Sequence, residues 1–410
     1  MSGYPRELLK ICEDPVLFAK LVLGFKPFPY QERLLRDGGD RIVACMGRQT
    51  GKTTTIAVKA IHYAFCNPGS TVLITSPSLR QSMIMFDRIL SFIYRSRLLP
   101  KSIVRKTRTI IQLTNGSQII ALPCSENLLR GYTADLIICD EAAFMPEEVI
   151  TQVMFPMLST TKGKAIFLST PWGRDHFFYK AFMNPRYSVH KVKSSECPLI
   201  TKEFLEEMKA NMTEQAFRME YEAEFVEAAS CFFPQDLIRS CIDPDLEFYS
   251  LMEKPPEGEY YAGLDLGKLQ DYTVLTAVKR EGETVKLVLL HEFPLETPYS
   301  NVIGTLRHVH RNYNFRVVKV DQTGVGEPVL EELRDAGVPC EGTKFTVQTK
   351  EELLSTLKLA MEQGRFKMPY HRRLCEQMNE QQYRYSRAGH LQFSHPEGSH
   401  DDMLWSLALA

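Results

Sequence analysis

No two cysteines in this chain stand as Cys-x-x-Cys, although 410 residues include ten of them. Scattered thiols without that spacing exclude a zinc ribbon and a disulfide framework, and they point to a reducing compartment. No apolar run approaches the roughly 20 residues that a membrane-spanning helix needs. The opening stretch MSGYPRELLKICEDP has charges where a secretory signal needs an apolar core. Internal repeats and low-complexity tracts are absent. So is an excess of charge: 49 Lys and Arg against 50 Asp and Glu leave a formal net charge of −1. A nucleic-acid partner must therefore be met by a local basic patch, not by the chain as a whole. What remains, 44% hydrophobic and 24% charged, is the composition of a folded protein, and the length suits two domains.

Residues 41–54 read RIVACMGRQTGKTT. The apolar run 42–45 predicts a short buried strand, and Gly51-Lys52-Thr53 opens a helical run over 54–65. Strand, loop and helix N-terminus make a phosphate-binding geometry, because the first helical N–H groups are unpaired and the dipole favours an anion there. In that frame Gly51 lets the backbone approach, Lys52 reaches the β- and γ-phosphates and the Thr53 hydroxyl holds Mg²⁺. The match to G-x-x-x-x-G-K-[ST] fails at its first glycine, where Met46 stands with Gly47 beside it. Upstream, 5–23 predicts one amphipathic helix. The two prolines of 25–31 predict an extended entry to the strand. Gln31 carries the amide donors and acceptor that can pair with both edges of an adenine.

Downstream the pattern alternates. Strands are predicted at 71–75, 136–139 and 164–168, a helix over 79–94, and a hairpin of 109–113 with 118–122 around Asn115-Gly116. The strand 136–139 runs into Asp140-Glu141. Ligands of a parallel sheet bind at the C-terminal strand ends. Asp140 is therefore placed to coordinate a nucleotide's Mg²⁺, and Glu141 to orient or deprotonate the attacking water. Ser169-Thr170-Pro171 closes the next strand with small hydroxyls that could sense the γ-phosphate. Two arginines compete for the transition-state charge. Arg130, on the loop before the acidic strand, could reach a neighbouring subunit's nucleotide, whereas Arg48 would act from inside the phosphate loop.

Turn-rich, charged sequence over 226–256 predicts a linker between domains at 1–225 and 257–410. The second domain begins with a predicted antiparallel meander of 260–264, 273–278 and 285–291. A helix over 299–313 and a strand 316–320 follow, then helices near 327–336, 350–363 and 370–382. Asp265, Asp321 and Asp401 fall at three element ends. First and fourth strands are neighbours in an RNase H-like sheet, and a terminal helix packed on it would bring Asp401 beside Asp265 and Asp321. Such a cluster repels itself without a cation, and hard oxygen ligands suit Mg²⁺ or Mn²⁺. Two ions about 4 Å apart would activate a water and stabilise a leaving 3′-oxygen. Asp402, about 100° round the helix from Asp401, can assist or substitute, and Asp271 is a further acidic neighbour. Arg365, Lys367, His371, Arg372, Arg373, Arg384 and Arg387, interleaved with Phe366, Tyr370, Tyr383 and Tyr385, suit a phosphate-tracking surface.

Taken in order, these motifs resemble the large terminase subunit of tailed bacteriophages and related viruses, from Tyr30-Gln31 to Asp401-Asp402. Gln31 matches the adenine motif, and Arg48-Gln49-Thr50-Gly51-Lys52-Thr53 is similar to a phosphate loop that often lacks its first Gly and carries Arg. Asp140-Glu141 matches the second acidic motif, Ser169-Thr170-Pro171 the coupling motif, and Asp265, Asp321 and Asp401 the nuclease triad. The resemblance implies an α/β chain: an N-terminal RecA-like P-loop ATPase with a parallel-rich sheet, then a C-terminal RNase H-like nuclease with a mixed sheet. It implies ATP and Mg²⁺, with Mn²⁺ substituting in the nuclease. It implies a motor that drives double-stranded DNA into a capsid through the portal and cuts the concatemer, a small terminase subunit choosing the DNA. Such motors form homo-oligomeric rings, usually pentamers, when assembled on the portal, with a monomer in solution as the alternative, in the host cytoplasm and outside the mature virion. Two rival readings use part of the same residues. A superfamily 2 helicase would need a second RecA-like domain where the meander lies. A non-catalytic DNA-binding module would not need an intact Lys52, Asp140, Glu141 and three aspartates.

Overall fold

The computed structural model describes residues 6–174, 176–212, 214–226, 231–267, 271–323, 327–385, 391–395 and 400–410. Two compact units divide the chain: Met1–Ala210 with Glu214–Glu227, and Asn211–Thr213 with Ala228–Ala410. Among the described residues no helix is long and apolar enough to cross a membrane.

The first unit is built on one sheet. Its strands are β1 (Arg41–Met46), β2 (Thr71–Ser76), β3 (Ile103–Lys106), β4 (Ile110–Leu113), β5 (Gln118–Pro123), β6 (Leu136–Asp140), β7 (Lys164–Ser169) and β8 (Ser188–Val192). Their order is β3-β4-β5-β2-β6-β7-β1-β8. The ladders from β5 through β8 are parallel, and β3 and β4 extend the sheet antiparallel. The central strands are buried almost end to end, as a sheet covered by helices on both faces requires. Helices Lys52–Cys66 and Leu79–Arg95 supply much of the covering core with Ile56, Ile61, Phe86 and Ile89.

Two expectations for the N-terminal stretch are corrected. The single helix over 5–23 is two helices, Arg6–Glu13 and Pro15–Leu21, because Pro15 starts a new helix and Asp14 caps it through a 2.9 Å bond from Val16 N–H. The extended entry at 25–31 is instead the start of helix Pro29–Arg36, in which Pro29 takes the first helical position. A proline there lacks only an N–H that would have been unpaired anyway.

The second unit holds a six-stranded sheet of β9 (Glu259–Asp265), β10 (Val274–Glu281), β11 (Thr284–Glu292), β12 (Val318–Asp321), β13 (Cys340–Thr343) and β14 (Phe366–Lys367), ordered β13-β12-β9-β10-β11-β14. β9, β10 and β11 form the antiparallel meander, and β12 lies parallel beside β9. A separate hairpin joins β15 (Gln382–Tyr385) to β16 (Leu391–Ser394). Helix Tyr299–Tyr313 and helix Glu327–Asp335 cover a core of Tyr260, Leu264, Leu275, Leu306, Val320 and Leu333. Much of the stretch expected as a linker packs on this unit. Cys231 bridges to Gln382, Ile242 to Met368, and Tyr249 N–H donates to Val288 O at 2.7 Å.

Candidate functional sites

In the first unit β1 ends at the wholly buried Met46, and the chain then turns at Gly47. A Cβ on Gly47 would stand 2.5 Å from Ser194 Oγ and 2.9 Å from Tyr221 O. The close approach of the backbone that needs glycine therefore falls at 47, one residue beyond the general motif's position. Thr50 Oγ donates to Gly47 O at 2.8 Å and ties the loop across its base. Gln49, at φ 61°, is exposed at the loop, and Gly51, at φ 74°, is the N-cap of helix Lys52–Cys66. Tyr30 OH and Gln31 Nε2 both donate to Thr50 O, at 2.9 and 3.1 Å. Gln31 Oε1 accepts from Phe28 N–H at 2.9 Å. The amide expected to read adenine is thus engaged in holding the loop, with its acceptor and one donor committed.

Lys52, at the first helical position, donates to Glu141 Oε1 at 3.1 Å, and Ser169 Oγ donates to Glu141 Oε2 at 3.1 Å. Asp140 ends β6 and accepts Glu141 N–H at 3.1 Å. β6, β7 and β1 are consecutive in the sheet, so Asp140, Ser169 and the phosphate loop open from one edge of it. Glu141 is nine-tenths buried and left-handed at φ 54°, a conformation that costs a non-glycine residue about 1 kcal/mol or more. Thr53 is half-buried in the first helical turn. Lys52, Glu141, Ser169 and Asp140 are therefore brought together, with Thr50 on the loop beside them and Gln31 reaching that loop from helix Pro29–Arg36. The two arginines differ. Arg48 is ion-paired with the buried carboxylate of Glu220, its N–H donates to Glu220 O at 2.7 Å, and Ser194 Oγ donates to its carbonyl at 2.7 Å. Arg130 is mostly exposed, pairs with Glu126 one turn back and borders an open cavity of about 390 Å³ with Gln152 and Pro156.

In the second unit the parallel register pairs Val320 with Leu264, so one residue further Asp321 stands beside Asp265. The terminal helix Asp402–Leu409 is seated on β9 and β10. Ser406 Oγ lies 2.9 Å from both Gly263 O and Val274 O, and a Cβ on Gly263 would stand 2.0 Å from Ser406 O. Gln377 Oε1 accepts the N–H groups of Met403 and Leu404 at 2.9 and 3.2 Å, fixing the helix start. Sequence reasoning missed Gly263, Gln377 and Ser406, which carry no chemistry of their own but set where Asp401 and Asp402 stand.

The carboxylates feel one another. Burial pushes the Asp265 carboxyl well above the usual carboxylate range, Asp402, Asp321 and Asp401 push it further, and Lys350 pulls it back. Burial likewise raises Asp402, to about 6; His400 opposes this, and Asp401 and Asp271 add to it. The third carboxylate has two claimants. Asp401, the N-cap, accepts Trp405 Nε1–H at 2.7 Å. Asp402 is buried, and its Oδ2 has no hydrogen-bond partner among the described residues; His400 Nδ1 stands 3.7 Å from it. Asp321 Oδ1 accepts from Thr323 N–H and Oγ–H at 2.8 and 2.6 Å. Among the described residues no three His, Cys, Asp or Glu side chains converge as a ready cage for one ion. A buried, unpartnered carboxylate oxygen within a self-repelling cluster nevertheless suits a cation.

The basic, aromatic stretch is dispersed. Phe366 and Tyr370 are core residues. Lys367 Nζ donates to Ser240 O, Arg372 pairs with Glu376, Arg373 with Glu292, and Arg384 Nε donates to Gln392. Arg387 lies outside the described residues.

Two family models match. "Terminase large subunit, T4likevirus-type, N-terminal" covers residues 43–240, and "Terminase RNaseH-like domain" covers 262–410. The large terminase subunit of Thermus virus P23-45 is 28% identical over 431 aligned positions, which span 95% of this chain and 88% of the relative. Among solved structures, the ATPase domain of the Thermus phage P74-26 large terminase is 28% identical and covers 51% of this chain and 97% of its own, with a TM-score of 0.47. The magnesium-bound nuclease of the phage G20c large terminase is 25% identical and covers 45% of this chain and 97% of its own, with a TM-score of 0.40. With both halves matched in order along the chain, the protein belongs to the large terminase subunit family, the ATPase and nuclease of viral DNA packaging.

Proposed function

We propose that residues 6–226 form the ATPase domain and 231–410 the nuclease domain of a DNA-packaging motor subunit. The ATPase reading rests on the chain of contacts Lys52–Glu141–Ser169 at the sheet edge. Lys52 meets the β- and γ-phosphates of ATP, an exchange of partner that frees Glu141 Oε1 to take a proton from water. Ser169 keeps hold of the other oxygen and orients the carboxylate. Thr53 and Asp140 would hold Mg²⁺, which neutralises charge developing on the phosphates. Gln31, Gln49, Thr50 and Gly51 shape the loop around the nucleotide. Arg130, exposed on its loop, acts on a neighbouring subunit's nucleotide, whereas Arg48, held by Glu220, keeps the loop in place.

The nuclease reading rests on Asp265 buried among Asp321, Asp401 and Asp402. These four carboxylates would hold Mg²⁺ or Mn²⁺, which supplies an activated water and charge stabilisation for phosphodiester hydrolysis. Asp402 Oδ2, buried without a hydrogen bond, supports Asp402 as a ligand beside Asp401, which Trp405 would orient. The substrate is double-stranded DNA, cut with little sequence preference because phosphate carries no base information. The partners are the portal of the procapsid, a small terminase subunit and further copies of this chain in a ring.

Three variants test both halves. Lys52→Ala should abolish ATP hydrolysis and leave plasmid nicking in Mn²⁺ intact, and Asp321→Asn should do the reverse. ATP turnover at the wild-type rate in Lys52→Ala would refute the first assignment. Normal nicking by both Asp265→Asn and Asp321→Asn would refute the second.

A further inference from the structure

Lys350 lies in the first turn of helix Val347–Glu362, whose N-cap is Thr346. A cation there opposes the helix dipole, so its placement needs another cause. Among the described residues no carboxylate stands within ion-pair distance of its ammonium. Instead Nζ sits over two aromatic rings, 4.6 Å from the centroid of Trp405 and 5.3 Å from that of Phe345. Such faces attract a cation without neutralising it.

Both rings are tied to the acidic cluster. Trp405 Nε1 donates to Asp401 Oδ2 at 2.7 Å. Phe345 N–H donates at 2.8 Å to Thr323 Oγ, which itself donates to Asp321 Oδ1 at 2.6 Å. The ammonium is therefore positioned by elements that also position two carboxylates, and its field reaches a third, Asp265. An acidic cluster repels the phosphodiester it must cut. A cation held beside it by aromatic faces, with its charge unspent, is free to pair with a phosphate oxygen.

We propose that Lys350 is a DNA-contacting residue of the nuclease, its ammonium pairing with a backbone phosphate of the strand that enters between Asp265, Asp321 and Asp401. The proposal rests on the nuclease reading of this unit and names one contact by which the unit holds its substrate. A lysine acting only to offset the carboxylates would matter to stability and not to the salt dependence of DNA binding.

The test uses the full chain. KM and kcat are measured for supercoiled plasmid in Mn²⁺, and affinity for a short duplex is measured in Ca²⁺ over a salt series. Lys350→Met should raise KM and weaken duplex binding by about ten- to hundredfold, the range of a charge-assisted contact. It should also flatten the log–log salt slope by about 0.9, the loss of one phosphate contact. Lys350→Arg should recover most of both and keep the wild-type melting temperature, with ATP turnover unchanged in every variant. Should Lys350→Met fail to fold, Lys350→Gln is read in the same way. Wild-type KM and salt slope in the charge-removing variant overturn the proposal. So does a loss shared equally by Lys350→Arg and accompanied by a lower melting temperature. A wild-type protein that cuts no plasmid in Mn²⁺ or Mg²⁺ would refute the nuclease reading and this contact with it. Normal wild-type cutting with an indifferent Lys350→Met removes only the contact.

Discussion

Adding one methyl group at Gly263 should separate the two activities of this chain. The residue lies in the middle of β9, where the terminal helix comes so close that a Cβ would stand 2.0 Å from Ser406 O, 2.8 Å from Ala410 N and 2.9 Å from Leu409 Cβ. Two of these neighbours are backbone atoms and cannot swing aside. Relief to an ordinary contact of about 3.4 Å or more requires the helix to move by more than about 1 Å, because a well-packed interior leaves no spare volume. The same helix carries Asp401 and Asp402, so the carboxylates move with it while Asp265 and Asp321 stay on their strands. A misplacement of about 1 Å costs roughly a hundredfold in a positioned reaction. Overpacking costs about 1–3 kcal/mol, and displacing Ser406 from Gly263 O and Val274 O adds the loss of a buried hydroxyl's partner. Gly263→Ala should therefore lower kcat for plasmid nicking in Mn²⁺ by about a hundredfold. It should lower the melting temperature of the second unit by roughly 3–10 °C and leave ATP turnover unchanged. Wild-type nicking by a folded Gly263→Ala protein would refute the claim that the helix seat sets the acidic site.

Glu141→Gln should retain ATP binding and lose turnover by about a hundredfold or more, since it removes the proton acceptor and keeps the shape; equilibrium nucleotide binding beside a phosphate-release assay checks it. Arg130→Ala should depress ATP turnover mainly in assembled protein, and mixing it with Glu141→Gln subunits should restore activity at intermediate ratios; absence of rescue at every ratio would favour Arg48. Asp265 carries a pH signature in metal-free buffer. Its folded carboxyl keeps its proton above the unfolded value of 3.8, so folding takes up protons and stability falls as pH rises from about 4. Asp265→Asn should flatten that fall in a melting-temperature series in EDTA, and Mn²⁺ should raise the wild-type melting temperature more than the variant's.

The legible parts of this protein are those written in short stretches of sequence. Apolar runs that end in a carboxylate announce themselves at β6, β9 and β12, because a buried strand and the carboxylate at its end are adjacent in the chain. Glycine with lysine and threonine does the same for the phosphate loop. Proline was harder to read. At 15 it opens a second helix inside a stretch that reads as one, and at 29 it opens a helix inside a stretch that reads as extended, because proline suits the first helical position as well as it suits extended chain.

Partnerships between distant residues were not legible. Nothing near Arg48 names Glu220, 172 residues away, as the carboxylate that holds it. Nothing near Gln31 says that its amide is engaged by Phe28 N–H and Thr50 O. The choice between Asp401 and Asp402 is the clearest instance. The two are adjacent and chemically identical, and about 100° of helical rotation separates them. Which carboxylate keeps a buried oxygen without a hydrogen bond is decided by Trp405 reaching Asp401, by Gln377 fixing the first turn and by Ser406 seating the helix on Gly263. A rotation of one residue would exchange their roles, yet it would also pull Ser406 off the sheet and turn buried Leu404 and Leu407 away from their present packing. The orientation of the acidic pair is therefore set by the apolar face of the helix and not by the acids themselves.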